Sequence, residues 1–366
     1  MQKFAAPGLE QLVRVFESQI ERGMHAGAQI CVRLGTELLC DWWGGMADVQ
    51  NRRPVTANTP FMVYSATKAL TAIMIHILAD RGALDLEAPV ARYWPDFARH
   101  GKEEVTIAHV LLHQAGIPGK ATLGEVASWL VPGLPARRVA SMRPIHRPGE
   151  KAIYHPFTGG FVLGELIRRA SSLSPADFAR REILEPLGMQ DSWPGLPLSL
   201  QDKASRIYSH DPEQASAARL FSIPLYRRLF LPAASLNTTA RDLCTFYAAL
   251  AQGGALGNAR IISSRQLEEA TRLRYDGPDG DTGRRIKRSL GFSLGGYSQF
   301  PDRELYIYGR DSTIATFGHS GQGGCAIGWA DPPSGLSFAF VCNGFLDMEK
   351  AHRRFQELAD EVWPAL

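Results

Sequence analysis

The sequence predicts an α+β protein: a mainly antiparallel sheet flanked by helices and built from both ends of the chain, plus an inserted all-helical lobe. Three observations predict it. Short β-rich segments lie near the N-terminus and return after Leu290. Between Leu84 and Ala234 short helical patterns alternate with Pro- and Gly-rich turns. Amphipathic helical patterns stand near both ends of the chain, so the terminal segments belong to one layer. The expected division is a sheet domain over 1–83 and 235–366, with the helical lobe over 84–234.

The elements follow in order. After Pro7-Gly8, the residues Leu9, Leu12, Val13, Phe16 and Ile20 mark one face of a helix reaching Glu21. Ala28–Leu34 and Leu38–Trp43 read as two strands around the turn Gly35-Thr36-Glu37, with Gly44-Gly45 ending the second. A polar connector leads to Phe61, and a helix spans 65–81, stopped by Gly82. In the lobe, Val105–His113 reads as a capped helix ending before Gly116-Ile117-Pro118. Thr158–Ser171 and Pro175–Glu185 read as two more. Thr238 or Thr239 caps a helix to about Gly253, and Ser263–Leu273 is another. Leu290–Tyr297, Leu305–Tyr308, Ile314–Phe317, Cys325–Trp329 and Ser337–Cys342 are expected strands, and Asp347–Val362 a closing helix.

The chain has 366 residues, 45% hydrophobic and 21% charged, which is enough for a large core. A net charge of +3 is too small to imply a nucleic-acid partner. No run of about 18 apolar residues marks a membrane span, and no apolar leader core marks export, so a cytoplasmic protein is expected. The five cysteines are scattered with no Cys-x-x-Cys spacing, which fits reduced core residues.

Ser65-Ala66-Thr67-Lys68 opens the 65–81 helix. Residues three apart on a helix share a face, so the serine and lysine point the same way. A neutral amine can take the proton of a serine hydroxyl, and burial favours the neutral amine. Free N–H groups at a helix start favour an oxyanion. Alone the motif is weak, because Ser is also a common helix cap. Two further stretches supply what such a site needs. Tyr154, in Arg147–Pro156, stands just before a helix and can relay a proton. Gly318–Gly324 is a glycine-rich strand end whose Gln322 N–H can oppose that of Ser65. His319 and Gly321 in that stretch, with Tyr64 and His155 beside the two catalytic candidates, complete the expected substrate and oxyanion contacts. His109 and His113, four apart, lack the intervening Glu of a zinc motif. Asp276–Gly283 lacks the closing Glu of a calcium loop. No metal is expected at either. Trp42-Trp43 and Trp329 read as an acyl pocket or as sheet packing.

Together these stretches resemble the class C β-lactamase family in its broad sense, with its penicillin-binding-protein-like hydrolases, D-alanyl-D-alanine carboxypeptidases and family VIII carboxylesterases. Ser65-Ala66-Thr67-Lys68 matches the family's first motif. Leu111–Pro118 is similar to its LLxHxSGLP segment, and Pro148-Gly149-Glu150 through Tyr154 to its second motif. Glu185–Ser192 is similar to its PLGMxDT segment, and His319-Ser320-Gly321 stands where Lys-Thr-Gly would be. The resemblance implies a β-lactamase/DD-peptidase-like fold and a serine hydrolase with Ser65 as nucleophile, Lys68 and Tyr154 as its proton carriers, and no cofactor. It makes His113 structural. Pro156 replaces the second motif's Asn and His319 the third motif's Lys, departures that point toward a carboxylesterase on small or medium acyl esters. An acyltransferase or amide-forming enzyme, and a D-amino-acid amidase or peptidase with weak β-lactamase activity, remain the alternatives. A silent binding relative would not need Ser65, Lys68 and Tyr154 together.

Overall fold

The computed structural model describes residues 2–119, 122–296 and 306–365. Short strand β1 (Phe4–Ala5) precedes helix α1 (Glu10–Glu21), and strands β2 (Gly27–Leu34) and β3 (Glu37–Asp48) follow. A 3₁₀ turn, Tyr64–Ala66, feeds helix α2 (Thr67–Asp80). The middle of the chain carries α3 (Ile107–Leu111), α4 (Leu123–Ser128), α5 (Leu134–Ser141) and α6 (Thr158–Ser171). Then come α7 (Ala240–Ala251), α8 (Ser264–Thr271), β4 (Tyr275–Pro278), β5 (Arg285–Arg288), β6 (Ser293–Leu294), β7 (Phe317–Ser320), β8 (Ala326–Asp331), β9 (Leu336–Cys342) and α9 (Met348–Ala359). The strands lie in the order β1-β3-β2-β9-β8-β7-β6-β5-β4, every neighbouring pair antiparallel. Strands from the two ends of the chain meet where β2 pairs with β9, Leu34 opposite Leu336 and Ala28 opposite Cys342.

Alternation sorts the sheet's two faces. From β9, Leu336, Phe338 and Phe340 face α1 and α9, where Leu12, Phe16, Phe355 and Leu358 cover them. Ala339 and Val341 face the larger core around α2 and α7. Small residues let α7 lie close, and Gly328 of β8 has no room for a Cβ beside the Tyr247 ring. Helix α2 is apolar on all sides because it is buried on all sides. One buried cluster runs from the sheet through α2 to Trp94, Val162 and Leu166, so residues 84–234 share a core with the sheet region. Two short strands also stitch that segment in: Trp193–Pro194 pairs with Leu236–Thr238, and Tyr208–Ser209 with Gly344–Phe345.

Several expected boundaries move. Gly44-Gly45 does not end the second strand. Gly45 (φ +74) pairs with Gly27, where a side chain would strike the Ala26 carbonyl, and β3 continues to Asp48. Of Leu290–Tyr297 only Ser293–Leu294 is strand, because Ser289–Gly291 form a tight turn, and Tyr297 lies outside the described residues. Of Leu305–Tyr308, Leu305 lies outside the described residues. Tyr306 accepts from Gly309 N–H in a turn, while Ile307 and Tyr308 plug the core under α9. Ile314–Thr316 is a turn, tied by Thr313 N–H to Thr316 Oγ1 and by Thr316 Oγ1 to Asp331, so β7 begins only at Phe317. Asp276–Gly283 is the β4–β5 hairpin, and Asp279 is spent accepting from Asp281 N–H, Thr282 N–H and the Thr282 hydroxyl. His109 closes the capping box of α3 with Thr106. Trp329 stacks on Phe338 and on Trp363, on the sheet face away from Ser65. All five cysteines are buried and unbridged. Among the described residues, no helix is long and apolar enough to cross a membrane.

Candidate active site

The turn that carries Ser65 is held from several sides. Phe61-Met62 pairs with Asn237-Thr238, Val63 N–H bonds Leu236 O at 3.0 Å, and Leu236 N–H bonds the Thr67 hydroxyl at 3.1 Å. Tyr64 is the residue that turns the chain. Its φ of +46 is one a non-glycine residue holds only under constraint, at a cost of about 1–3 kcal/mol. The constraint is its ring, 2% exposed and clamped edge-on by Phe221 and Phe345 at 5.3 and 5.1 Å. The sequence places Tyr64 among substrate contacts; in the structure its side chain is packing behind Ser65.

Lys68 follows one helical turn after Ser65. Its Nζ lies 3.2 Å from Ser65 Oγ, 2.9 Å from the Pro156 carbonyl and 3.0 Å from the Ala233 carbonyl. Burial pushes its pKa down, and the Arg288 cation pushes the same way, while Tyr154 opposes them. The two carbonyls take two N–H bonds. A neutral amine then keeps its lone pair for the third direction, toward the serine hydroxyl. Tyr154 closes the set: its hydroxyl donates to Ser65 Oγ at 2.8 Å. Its ring stands 4.8 Å from Lys68 Nζ and packs on His113 at 4.7 Å. His113 (φ +61) shapes that loop. Its Nδ1 accepts from His155 N–H at 3.1 Å and its carbonyl from Ile153 N–H at 2.9 Å.

The sequence places His155 among the substrate contacts. The structure places it at 0% exposure beneath the Tyr154 loop, edge-on to His113 at 5.3 Å, with burial holding its pKa at about 3. That imidazole is a neutral packing group. His319 lines the space beside Lys68 with Thr71, His113 and Arg288. Its Nδ1 sits 2.9 Å from the Ser320 carbonyl. A carbonyl only accepts, so Nδ1 carries the proton and Nε2 presents a lone pair. Burial first, and Lys68 second, hold its pKa at about 3. His319 is therefore an uncharged acceptor where a cation was the alternative.

Gly321 and Gln322 bring the strand end against the turn that carries Ser65. A Cβ on Gly321 would lie 2.6 Å from the Val63 carbonyl and 2.9 Å from Cys325 Sγ, so only glycine admits this approach. Among the described residues, no carbonyl accepts from the backbone N–H of Ser65 or Gln322. Behind the loop lies Arg354, 0% exposed, donating to the carbonyls of Gly324, Gly344 and Met24 at 2.9 to 3.0 Å. Neither Arg354 nor Arg288 was singled out in the sequence. Arg354 follows Arg353 on a helix and Arg288 ends a basic run, so both read as solvated, and no local pattern marks them otherwise.

Known proteins resemble this chain in sequence and in fold. The family model described as Beta-lactamase matches residues 12–362. The chain is 33% identical over 374 residues to the esterase/beta-lactamase LipL of Mycobacterium tuberculosis, covering 93% of this chain and 82% of that one. Its fold superposes on a family VIII carboxylesterase with a TM-score of 0.86 at 29% identity, covering 100% and 99% of the two chains. A penicillin-binding protein homologue from Caulobacter crescentus gives the same score and coverage at 30% identity.

Proposed function

The chain belongs to the beta-lactamase family of serine hydrolases, and from that premise we propose that it is a carboxylesterase turning over small or medium acyl esters through an acyl-enzyme on Ser65. The observation that carries the proposal is Ser65 Oγ held between Lys68 Nζ at 3.2 Å and the Tyr154 hydroxyl at 2.8 Å. Neutral Lys68 takes the Ser65 proton as Oγ attacks the ester carbonyl. The Ser65 and Gln322 N–H groups receive the oxyanion. Tyr154 passes a proton to the departing alkoxide, and Lys68 with Tyr154 then activates the water that releases the acid. Pro156 has no side-chain amide and His319 no charge, so neither position offers a strong donor to a β-lactam carboxylate. The names of the relatives, an esterase/beta-lactamase and a family VIII carboxylesterase, support the choice of ester.

The test is intact-mass spectrometry after mixing with a short p-nitrophenyl ester, alongside nitrophenolate release, for wild type and Ser65→Ala. The expected result is an acyl adduct and turnover in wild type, both lost in the variant. Turnover that survives in Ser65→Ala, or is absent from both across several acyl lengths, refutes the proposal. Adding an alcohol or amine acceptor separates hydrolysis from transfer, and a chromogenic cephalosporin tests β-lactam turnover directly.

A further inference from the structure

The Ser65–Lys68–Tyr154 set works only if Lys68 is uncharged when substrate arrives. Burial pushes it that way, but Tyr154 pulls the other way, since a base beside a phenol gains from being protonated. The histidines around Lys68 contribute no fixed charge. His113, His155 and His319 are all buried and all titrate below the usual imidazole range. Among the described residues, no carboxylate lines the space beside Lys68. One group there is always charged: Arg288, whose guanidinium keeps its proton at any working pH.

The fold sets Arg288 in place. It ends β5, opposite Ser293 of β6, and its own carbonyl accepts from Arg274 N–H at 2.9 Å. The turn after it is pressed onto α2: Gly291 (φ +116) has no room for a Cβ against Ala72, one helical turn beyond Lys68. His76 donates from Nε2 to the Leu290 carbonyl at 2.9 Å, its tautomer fixed because Gln266 donates to Nδ1. The guanidinium carbon stands 5.9 Å from the centroid of the Tyr154 ring, and Lys68 Nζ 4.8 Å from the same point, so guanidinium and amine are at most about 11 Å apart.

We infer that Arg288 is the fixed cation of this site, a positioning residue that acts through Lys68 by keeping the base amine uncharged. His319, an uncharged acceptor, cannot do this. The inference rests on the Ser-Lys-Tyr reading above. Lys68 is faced by Tyr154 and His155 from the loop before α6, by His113 from the end of α3, by His319 from β7 and by Arg288 from β5. Among these described residues, only the last carries permanent charge.

The test is the pH profile of kcat/KM for p-nitrophenyl ester in wild type, Arg288→Gln and Arg288→Lys, with Ser65→Ala as the blank. A unit charge about 10 Å away at an effective dielectric of about 20 is worth about one pH unit. Removing it lets Lys68 hold its proton to higher pH, so the acidic limb of Arg288→Gln moves up by about one unit. Below the limb that is a tenfold loss; above it the variant recovers to within a few-fold. Arg288→Lys keeps the charge and keeps the wild-type limb. A uniform loss across pH with an unmoved limb, or a limb that moves equally in Arg288→Lys, overturns the inference. If the melting curve shows Arg288→Gln unfolded, Arg288→Met, which keeps the apolar stem, must give the same shift, and an unmoved limb there is equally fatal. If wild type shows no turnover that Ser65→Ala abolishes, the Ser-Lys-Tyr reading has failed first. If it does, and the limb stays put, only the role of Arg288 falls.

Discussion

Mild acid should unfold this protein. Six histidines, His25, His76, His113, His155, His319 and His352, are buried, and burial is the leading cause that lowers the pKa of each. His155 and His319 fall to about 3, and His76 and His352 to about 4. In the unfolded chain each titrates near 6.5. The unfolded state therefore binds more protons below that value. Stability is whole above pH 6.5 and drains as pH falls toward the folded values. One unit below, at pH 5.5, each histidine has withdrawn about 1.4 kcal/mol, or about 8 kcal/mol for the six. Asp242 works against them. Burial raises its carboxyl to about 6, so protonation there returns about 1 kcal/mol over the same range. A net loss of about 7 kcal/mol matches the whole stability of many domains. Urea titrations followed by circular dichroism, from pH 7.5 to 5.0, read it directly. The expected result is a midpoint that falls steeply below pH 6.5, with cooperative unfolding in buffer by about pH 5. A stability that changes by less than about 2 kcal/mol between pH 7.5 and 5.5 would show that these imidazoles are protonated or solvated in the native state, and the argument would fail.

Three other perturbations follow from particular contacts. Asp242 accepts from Ser192 Oγ and Asp191 N–H at 2.8 Å, yet its ionised form is disfavoured below about pH 6. Ionisation above that pH costs stability, so Asp242→Asn should exceed wild type by about 3 kcal/mol at pH 8 and lose the advantage below pH 4, as read by urea midpoints. Arg354→Met leaves the Gly324, Gly344 and Met24 carbonyls without their donor, and a loss of at least about 3 kcal/mol is expected in the same assay. Gly321→Ala forces a Cβ against the Val63 carbonyl, which moves Gln322 away from Ser65. Its kcat should fall about 100-fold or more while KM changes little, and a variant with unchanged kcat would remove the Gln322 N–H from the oxyanion site.

What the sequence shows of the fold depends on how local the cause is. The helix 158–171 is found at those bounds because its apolar face and its end are written within it. The helix starts at Thr239, Ser263 and Asp347 are legible because a capping side chain bonds a backbone N–H three residues on. Strands fail where the cause is remote. Ile307 and Tyr308 have strand composition, but they are placed by the core under α9, some fifty residues away. Gly45 reads as a terminator, yet it is a strand residue chosen by the close approach of Ala26. β1 is two residues long, and pairing with Cys40 and Asp41 alone defines it.

The same division runs through the site and explains which residues escaped notice. Ser65 and Lys68 sit on one helix three apart, so their meeting is a property of helical geometry. Tyr154 is 89 residues from Ser65, and its own surroundings mark only a loop before a helix; the set of motifs in order brings it in. Arg288 and Arg354 have no such marker, because a basic side chain is drawn to water unless the fold gives its head somewhere better to be. Arg354 finds backbone carbonyls of three separate segments, and Arg288 finds the Tyr154 ring across a turn jammed onto α2. Neither arrangement exists until the sheet has closed over α2. The residues proposed to perform the chemistry are thus written in a helix spacing and in the order of motifs, while those that hold the charge and shape of the site are written in the packing. Substitutions at Arg288 and Arg354 can therefore disable the site while every motif remains intact.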